Sequence, residues 1–174
     1  MQGITFGSLF VCIAIFIYIN SQQDKMDAAM NAGALYPPKV KKGEYWRLVT
    51  SGFIHITPYH LVVNMYSLYN FGWMEEYLGS FRYALILIIS IIGGSLLTTY
   101  IGKKNTLTVG ISGGIYGLTA VYILMLLRSP YVQLYDIIHM FMPMIIVNFL
   151  PNISVTGHLG GFAAGLLLGL LLRI

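Results

Sequence analysis

Ser112 stands inside Gly110-Ile111-Ser112-Gly113-Gly114, and His158 inside Gly157-His158-Leu159-Gly160-Gly161. A serine hydroxyl is a weak nucleophile until a base takes its proton, and a neutral imidazole within hydrogen-bond reach can do so. The surroundings of Ser112 suit that chemistry. An apolar run begins at this serine, so it sits at or near a helix N-terminus, where several backbone N–H groups lack intrahelical partners. Those donors and the positive end of the helix dipole favour a developing oxyanion. Glycines at 110, 113 and 114 let backbone and substrate approach closely, and Tyr116, at i+4, shares the face of Ser112. Taken singly, a serine at a helix start is more often an N-cap, and an intramembrane His or Asn is often interhelical glue. The chemistry has to come from the combination.

That combination is a packing problem. Gly161, Gly165 and Gly169 form a GxxxGxxxG stripe, and His158 lies three positions before the first of them, on the same face. Gly113 and Gly117 form a small-xxx-small stripe beside Ser112. Such stripes allow two helices to touch closely. If these two do, His158 arrives beside Ser112 near one membrane surface.

The elements that must hold the pair are apolar. Of 174 residues, 57% are hydrophobic and 9% charged, whereas soluble domains carry about 25% charged residues. A membrane span needs about 20 mostly apolar residues. The sequence predicts an all-α, polytopic membrane protein with spans at about 4–19, 59–77, 81–101, 112–127, 137–150 and 157–172, forming one membrane domain over residues 1–174. The second span is the most polar, carrying His60, Asn64, Ser67 and Asn70 before Glu75-Glu76. The third is read as ordinary lipid-facing material with a contact point at Gly93-Gly94. Pro143 predicts a kink in the fifth. Residues 20–58 form a long connection, polar at first, turn-prone at Tyr36-Pro37-Pro38, then mixing Lys39, Lys41, Lys42, Glu44 and Arg47 with Tyr45, Trp46 and Phe53. That mixture suits the membrane interface and predicts an ordered aromatic half. Polar side chains within spans are costly in hydrocarbon, so His60, Asn64, Ser112 and His158 are expected to line a wet cavity, which hydrolysis requires.

Other classes fit poorly. The formal net charge of +4 is spread thinly, with no nucleic-acid stripe and no dense polybasic lipid cluster. Cys12 is the single cysteine, so no intrachain disulfide can form. No Lys or Arg precedes the first span and no clear small-x-small site follows it, so it is read as a retained helix. The absence of an internal repeat argues against a transporter. There is no His-Glu-x-x-His pair and no pair of intramembrane aspartates. His55, His60 and His158 lack ligand-like spacing, so neither metal nor cofactor is expected.

Gly110-Ile111-Ser112-Gly113 resembles the GxSG box of rhomboid intramembrane serine proteases. Gly157-His158-Leu159-Gly160-Gly161 followed by Gly165 resembles their HxxGxxxG helix, His60 to Asn64 their HxxxN segment, and Trp46-Arg47 their WR dipeptide; Glu75 with Gly79 also fits. The resemblance implies a six-helix rhomboid-like bundle that cleaves transmembrane protein substrates in the bilayer. Ser112 is then the nucleophile and His158 the general base, with Tyr116 stacked on the imidazole. His60, Asn64 and backbone N–H groups near Ser112 form the oxyanion hole, His55 is structural, and Trp46 and Arg47 order the first loop in the interface. Gly110, Gly113, Gly161 and Gly165 support the site.

No carboxylate is available to orient His158, since Asp136 is placed at the far end of a loop and Glu75 and Glu76 follow the second span. Positioning is therefore assigned to Tyr116, and a slow enzyme is expected. The alternative is an inactive relative that binds membrane clients, but such proteins typically lack the Ser or the His. Lys25, Lys39, Lys41, Lys42, Arg47, Lys103 and Lys104 lie on the first-loop side and only Arg82, Arg128 and Arg173 opposite, so charge counting puts that side in the cytoplasm. The resemblance implies the reverse orientation, in a prokaryotic plasma membrane with the site opening outside the cytoplasm, and that orientation is retained.

Overall fold

Backbone polar groups in hydrocarbon must pair within their own segment, which leaves helices as the economical solution for an apolar chain. The computed structural model describes residues 2–149 and 153–174 and contains, among them, α-helices, one 3₁₀ turn and no strand. In order these are α1 (Gly3–Asn20), α2 (Lys25–Ala32), α3 (Pro37–Val40), α4 (Arg47–Thr50), the 3₁₀ turn Ser51–Phe53, α5 (Pro58–Asn70), α6 (Trp73–Leu78), α7 (Ser80–Ile101), α8 (Ser112–Leu127), α9 (Leu134–Val147) and α10 (Val155–Leu171). Two of them, α1 and α7, are long and apolar enough to cross a membrane by themselves; α8 and α10 are apolar but shorter.

The centre is made by α7, α8 and α10, which pack on one another. One face of α7 is buried along its length, through Tyr83, Ile86, Leu87, Ser90, Ile91, Gly94, Ser95, Thr98 and Thr99. The third span is therefore a core helix, and the lipid-facing reading of it is corrected. Its mean hydropathy is that of a lipid helix, but its small residues cut a groove that α10 fills. A Cβ on Gly94 would stand 2.4 Å from the Gly157 carbonyl oxygen, and one on Gly160 would stand 2.5 Å from that of Gly93.

The second span is also corrected, because two helices replace the single one expected over 59–77. Phe71 N donates to both Ser67 O and Leu68 O, which closes α5, and α6 restarts at Trp73. The break lets Glu75 reach α1. Its carboxylate accepts from the N–H groups of Ile4 (2.9 Å) and Thr5 (2.8 Å), the Thr5 hydroxyl and Ser80 Oγ (2.7 Å). A buried carboxylate thus serves donors that the first turn of α1 cannot satisfy itself. In the fifth span Pro143 lies inside α9, and Asp136, placed in a loop by the sequence reading, belongs to that helix. The expected end at Leu150 falls outside the described residues.

The long first connection is ordered in its polar half as well as its aromatic half. Asp24 caps α2 by accepting from Met26 N and Asp27 N, and Gly33 closes it at φ +106°. From there the loop braces the segment that enters α8. Leu35 pairs with Thr108 through both backbone bonds (3.0 and 2.9 Å), and Gly110 N donates to Ser51 O at 3.0 Å. Residues before Ser112 are thereby held by a loop far away in sequence.

Candidate active site

Ser112 is the first residue of α8, after Ile111, and its hydroxyl makes no capping bond. The first helical bond across this terminus runs from Ile115 N to Ile111 O at 3.1 Å. The N–H groups of residues 112–114 are the donors that helix geometry leaves over. Instead of capping, Ser112 Oγ lies 3.0 Å from His158 Nε2. His158 sits in the first turn of α10, whose N-cap Ser154 accepts from Gly157 N at 3.2 Å. It is buried, and its ring stacks on Tyr116 with centroids 4.0 Å apart and planes 12° from parallel.

Backbone contact between α8 and α10 makes that distance possible. A Cβ on Gly161 would lie 2.1 Å from Gly113 O, and one on Gly165 would lie 2.4 Å from Gly117 Cα. Real side chains do not approach this closely, so at both positions the helices touch where only hydrogen fits. Gly113 is different, since a Cβ there would meet its nearest neighbour, Gly157 O, at 3.4 Å.

Ser112 and His158 border a cavity of about 780 Å³ that His60, Gly110, Gly113 and Asn148 also line. Gly110 adopts φ +115°, and a Cβ on it would lie 2.6 Å from the His60 ring. This is a position that requires glycine, both for its left-handed backbone and for the imidazole packed on it. Asn64 is buried behind Gly110, and its Nδ2 donates to His55 Nε2 at 3.1 Å. His55 is fully buried and meets His60 edge-on at 5.1 Å. Burial, with the neighbouring His60, pushes the His55 imidazolium down to about 3, so the ring is neutral and free to accept. His60 therefore borders the cavity with Ser112, whereas Asn64 does not line it, its Nδ2 lying 3.5 Å from where a Cβ on Gly110 would stand.

Trp46 and Arg47 stand apart from this group. Trp46 is 48% exposed, as an interfacial aromatic would be, but Arg47 is 2% exposed and does not reach for headgroups. Its guanidinium bonds Glu44 (2.6 Å), Met30 O (2.7 Å) and Ala34 O (2.9 Å) and lies over the Trp46 ring at 4.5 Å. It orders the loop from inside.

Asn148 is a residue that the sequence reading does not find. Its Oδ1 lies 2.7 Å from His158 Nδ1, while its Nδ2 donates to Tyr116 Oη and to Met144 O, both at 2.8 Å. A lone Asn at the end of a predicted span reads as a helix cap, and no local signal connects it to His158.

Apolar helices thus bring a serine and a histidine together where two glycine faces touch. The Rhomboid domain model matches residues 42–174, and the chain belongs to the rhomboid family. RHOMBOID-like protein 1 of Arabidopsis thaliana is 34% identical over 142 residues, covering 78% of this chain and 36% of that protein. Rhomboid-like protease 1 of Toxoplasma gondii is 30% identical over 149 residues, 80% of this chain and 51% of that one. The Rhomboid protease GluP of Bacillus subtilis is 29% identical over 171 residues, 92% of this chain and 33% of that one. The chain spans only 36% to 48% of the length of the Arabidopsis relatives it matches. Plants, an apicomplexan and a bacterium all appear among the relatives, so kinship makes this an integral membrane protein but does not assign it to a prokaryotic plasma membrane.

Proposed function

We propose that this chain is an intramembrane serine endopeptidase that cleaves transmembrane protein substrates with Ser112 as nucleophile and His158 as base. The observation that carries the reading is the 3.0 Å approach of Ser112 Oγ to His158 Nε2. His158 Nε2 takes the hydroxyl proton as Ser112 Oγ attacks the peptide carbonyl carbon. The resulting oxyanion faces the leftover donors of α8, with His60 beside them. Asn64 retains a second amide hydrogen after the one given to His55, and we assign that hydrogen to the same oxyanion. His158 returns the proton to the leaving amine as the C–N bond breaks. A water, deprotonated by His158, then hydrolyses the acyl-serine. Six crossings, with α5 and α6 together making the second, and a single membrane domain belong to the same proposal. The inactive-relative reading is disfavoured because both reacting groups are present and hydrogen-bonded to each other.

The substrate side follows from the cavity. A peptide bond within a helix is shielded, so helix-destabilising residues near the cut favour cleavage, and the glycines around Ser112 favour a small side chain beside the bond. The test is incubation of purified protein with a single-span substrate in detergent. Ser112→Ala and His158→Ala should each abolish cleavage, while Asn64→Ala should slow it by about 10²–10³-fold, the cost of one oxyanion donor. A serine-directed fluorophosphonate should label the wild type at Ser112. Cleavage that survives Ser112→Ala would refute the mechanism.

A further inference from the structure

Hydrogen-bond logic at the end of α9 determines more than the contact between Ser112 and His158. Met144 O is a carbonyl of the last helical turn; Asn148 N passes it by and donates to Ile145 O at 3.1 Å. A carbonyl only accepts. The Asn148 side-chain atom 2.8 Å from Met144 O must therefore be the amide nitrogen. Tyr116 Oη also donates to Met144 O, which leaves its lone pairs to accept from the same Nδ2 at 2.8 Å. With both amide hydrogens committed, Asn148 can offer His158 only its oxygen, 2.7 Å from Nδ1. An acceptor there requires a proton on Nδ1. The neutral ring then carries its lone pair on Nε2, the atom that faces Ser112 Oγ.

We propose that Asn148 is a positioning residue, a carboxamide that fixes His158 as the Nδ1–H tautomer and aims its Nε2 lone pair at Ser112. The inference rests on the serine-protease reading above and deepens it. The array Ser112–His158–Asn148 does with a neutral amide what a buried carboxylate does in soluble Ser-His-Asp sites, and a Cys-His-Asn arrangement serves papain-like proteases in the same way. An amide suits a low-dielectric bundle because it adds no buried charge. It also stabilises the imidazolium less than a carboxylate would, which fits a slow enzyme. Tyr116 then has two jobs, stacking on the ring and holding the amide in its productive orientation.

The test uses the full chain, ¹⁵N-labelled at histidine, in detergent or nanodiscs, with a His158→Gln sample to assign the His158 signals. The neutral wild-type ring should show Nδ1 protonated and Nε2 bare. Asn148→Leu should lose that preference and lower kcat by about 10–100-fold, less than the roughly 10⁴-fold cost of imposing the wrong tautomer in a soluble triad. KM should stay within about twofold, since no ground-state contact is removed. Asn148→Asp keeps the acceptor toward Nδ1 but gives Met144 O no donor, so it should recover part of kcat and move the acidic limb of the pH profile upward, because a carboxylate favours the imidazolium. An unchanged tautomer and unchanged kcat in Asn148→Leu would overturn the proposal and reduce Asn148 to a cap of α9. Should the Leu variant not fold, Asn148→Asp decides through its neutral ring: Nδ1–H retained supports the proposal, and a ring protonated at Nε2 with unchanged kcat overturns it. The tautomer signal needs no turnover: if the wild type cuts nothing yet shows an Asn148-dependent Nδ1–H ring, the protease reading fails and the positioning role stands.

Discussion

Arg47 shows how a residue that looks interfacial in sequence can be structural in three dimensions. A guanidinium has five N–H donors in a rigid fork, and here the fork spans Glu44 and the carbonyls of Met30 and Ala34, which belong to the other half of the loop. Removing it orphans the buried Ala34 carbonyl, worth about 1–3 kcal/mol when left unsatisfied, and leaves Met30 O only its 3.3 Å bond from Gly33 N. Glu44 keeps a third of its surface in water, so its lost partner adds little. Arg47→Ala should lower the thermal midpoint in detergent and open residues 41–45 to limited proteolysis. Arg47→Lys should recover less than half of the loss, because one ammonium cannot serve three acceptors in that plane. An unchanged midpoint in Arg47→Ala would show that the loop holds itself without this fork.

At the scale of elements, the chemistry depends on how closely α10 approaches α7 and α8. The glycines of that contact are unequal, and the inequality is testable. Gly161 and Gly165 abut backbone, which cannot yield, whereas Gly169 faces the flexible end of Leu124 at 2.8 Å and Gly113 has ordinary clearance. Overpacking typically costs about 1–3 kcal/mol where side chains can adjust, and rigid backbone makes the upper end the relevant one. Gly161→Ala and Gly165→Ala should therefore abolish fluorophosphonate labelling of Ser112 as fully as His158→Ala does. Gly169→Ala should retain most labelling. Equal tolerance at all three positions would mean that the glycine faces do not set the distance between Ser112 and His158.

For the molecule as a whole, the first loop and the segment before α8 form one assembly on the active-site side. The Leu35–Thr108 bridge, the Gly110–Ser51 bond and Lys41 above the Tyr100 ring at 5.6 Å tie the loop to the end of α7 and the entry of α8. That side also carries most of the cations, and by charge alone it belongs in the cytoplasm. Arg47, however, is buried in a structural pair and presents no charge to the membrane surface. Were the site to open away from the cytoplasm, as the resemblance implies, a protease added outside sealed cells or right-side-out vesicles would reach Lys103 and Lys104. Cleavage there only after the membrane is breached would invert the orientation.

Much of this architecture is written in one-dimensional periodicity. Helical spacing puts His158 on the face of Gly161 and Gly165 whatever the rest of the chain does, and an apolar run opening at Ser112 puts that serine at a helix start, because local hydrogen bonds alone set the turn of an α-helix. The Ser112–His158 pair was legible for that reason. Other features depend on which elements meet, and spacing along the chain does not encode that. α7 has the hydropathy of a lipid helix; its sequence marks a contact point at Gly93-Gly94, but only the packing reveals that the buried face runs from Tyr83 to Thr99. The break at Phe71-Gly72 makes sense once Glu75 is seen beneath α1. Asn148 is a single polar residue ten positions before His158, and an amide has no preferred partner until other helices surround it. The sequence determined which serine and histidine are candidates for the chemistry and the helix faces that carry them. Tertiary structure decided what faces the other side of the His158 ring, because Asn148 Oδ1 reaches Nδ1 only where the end of α9 meets the start of α10.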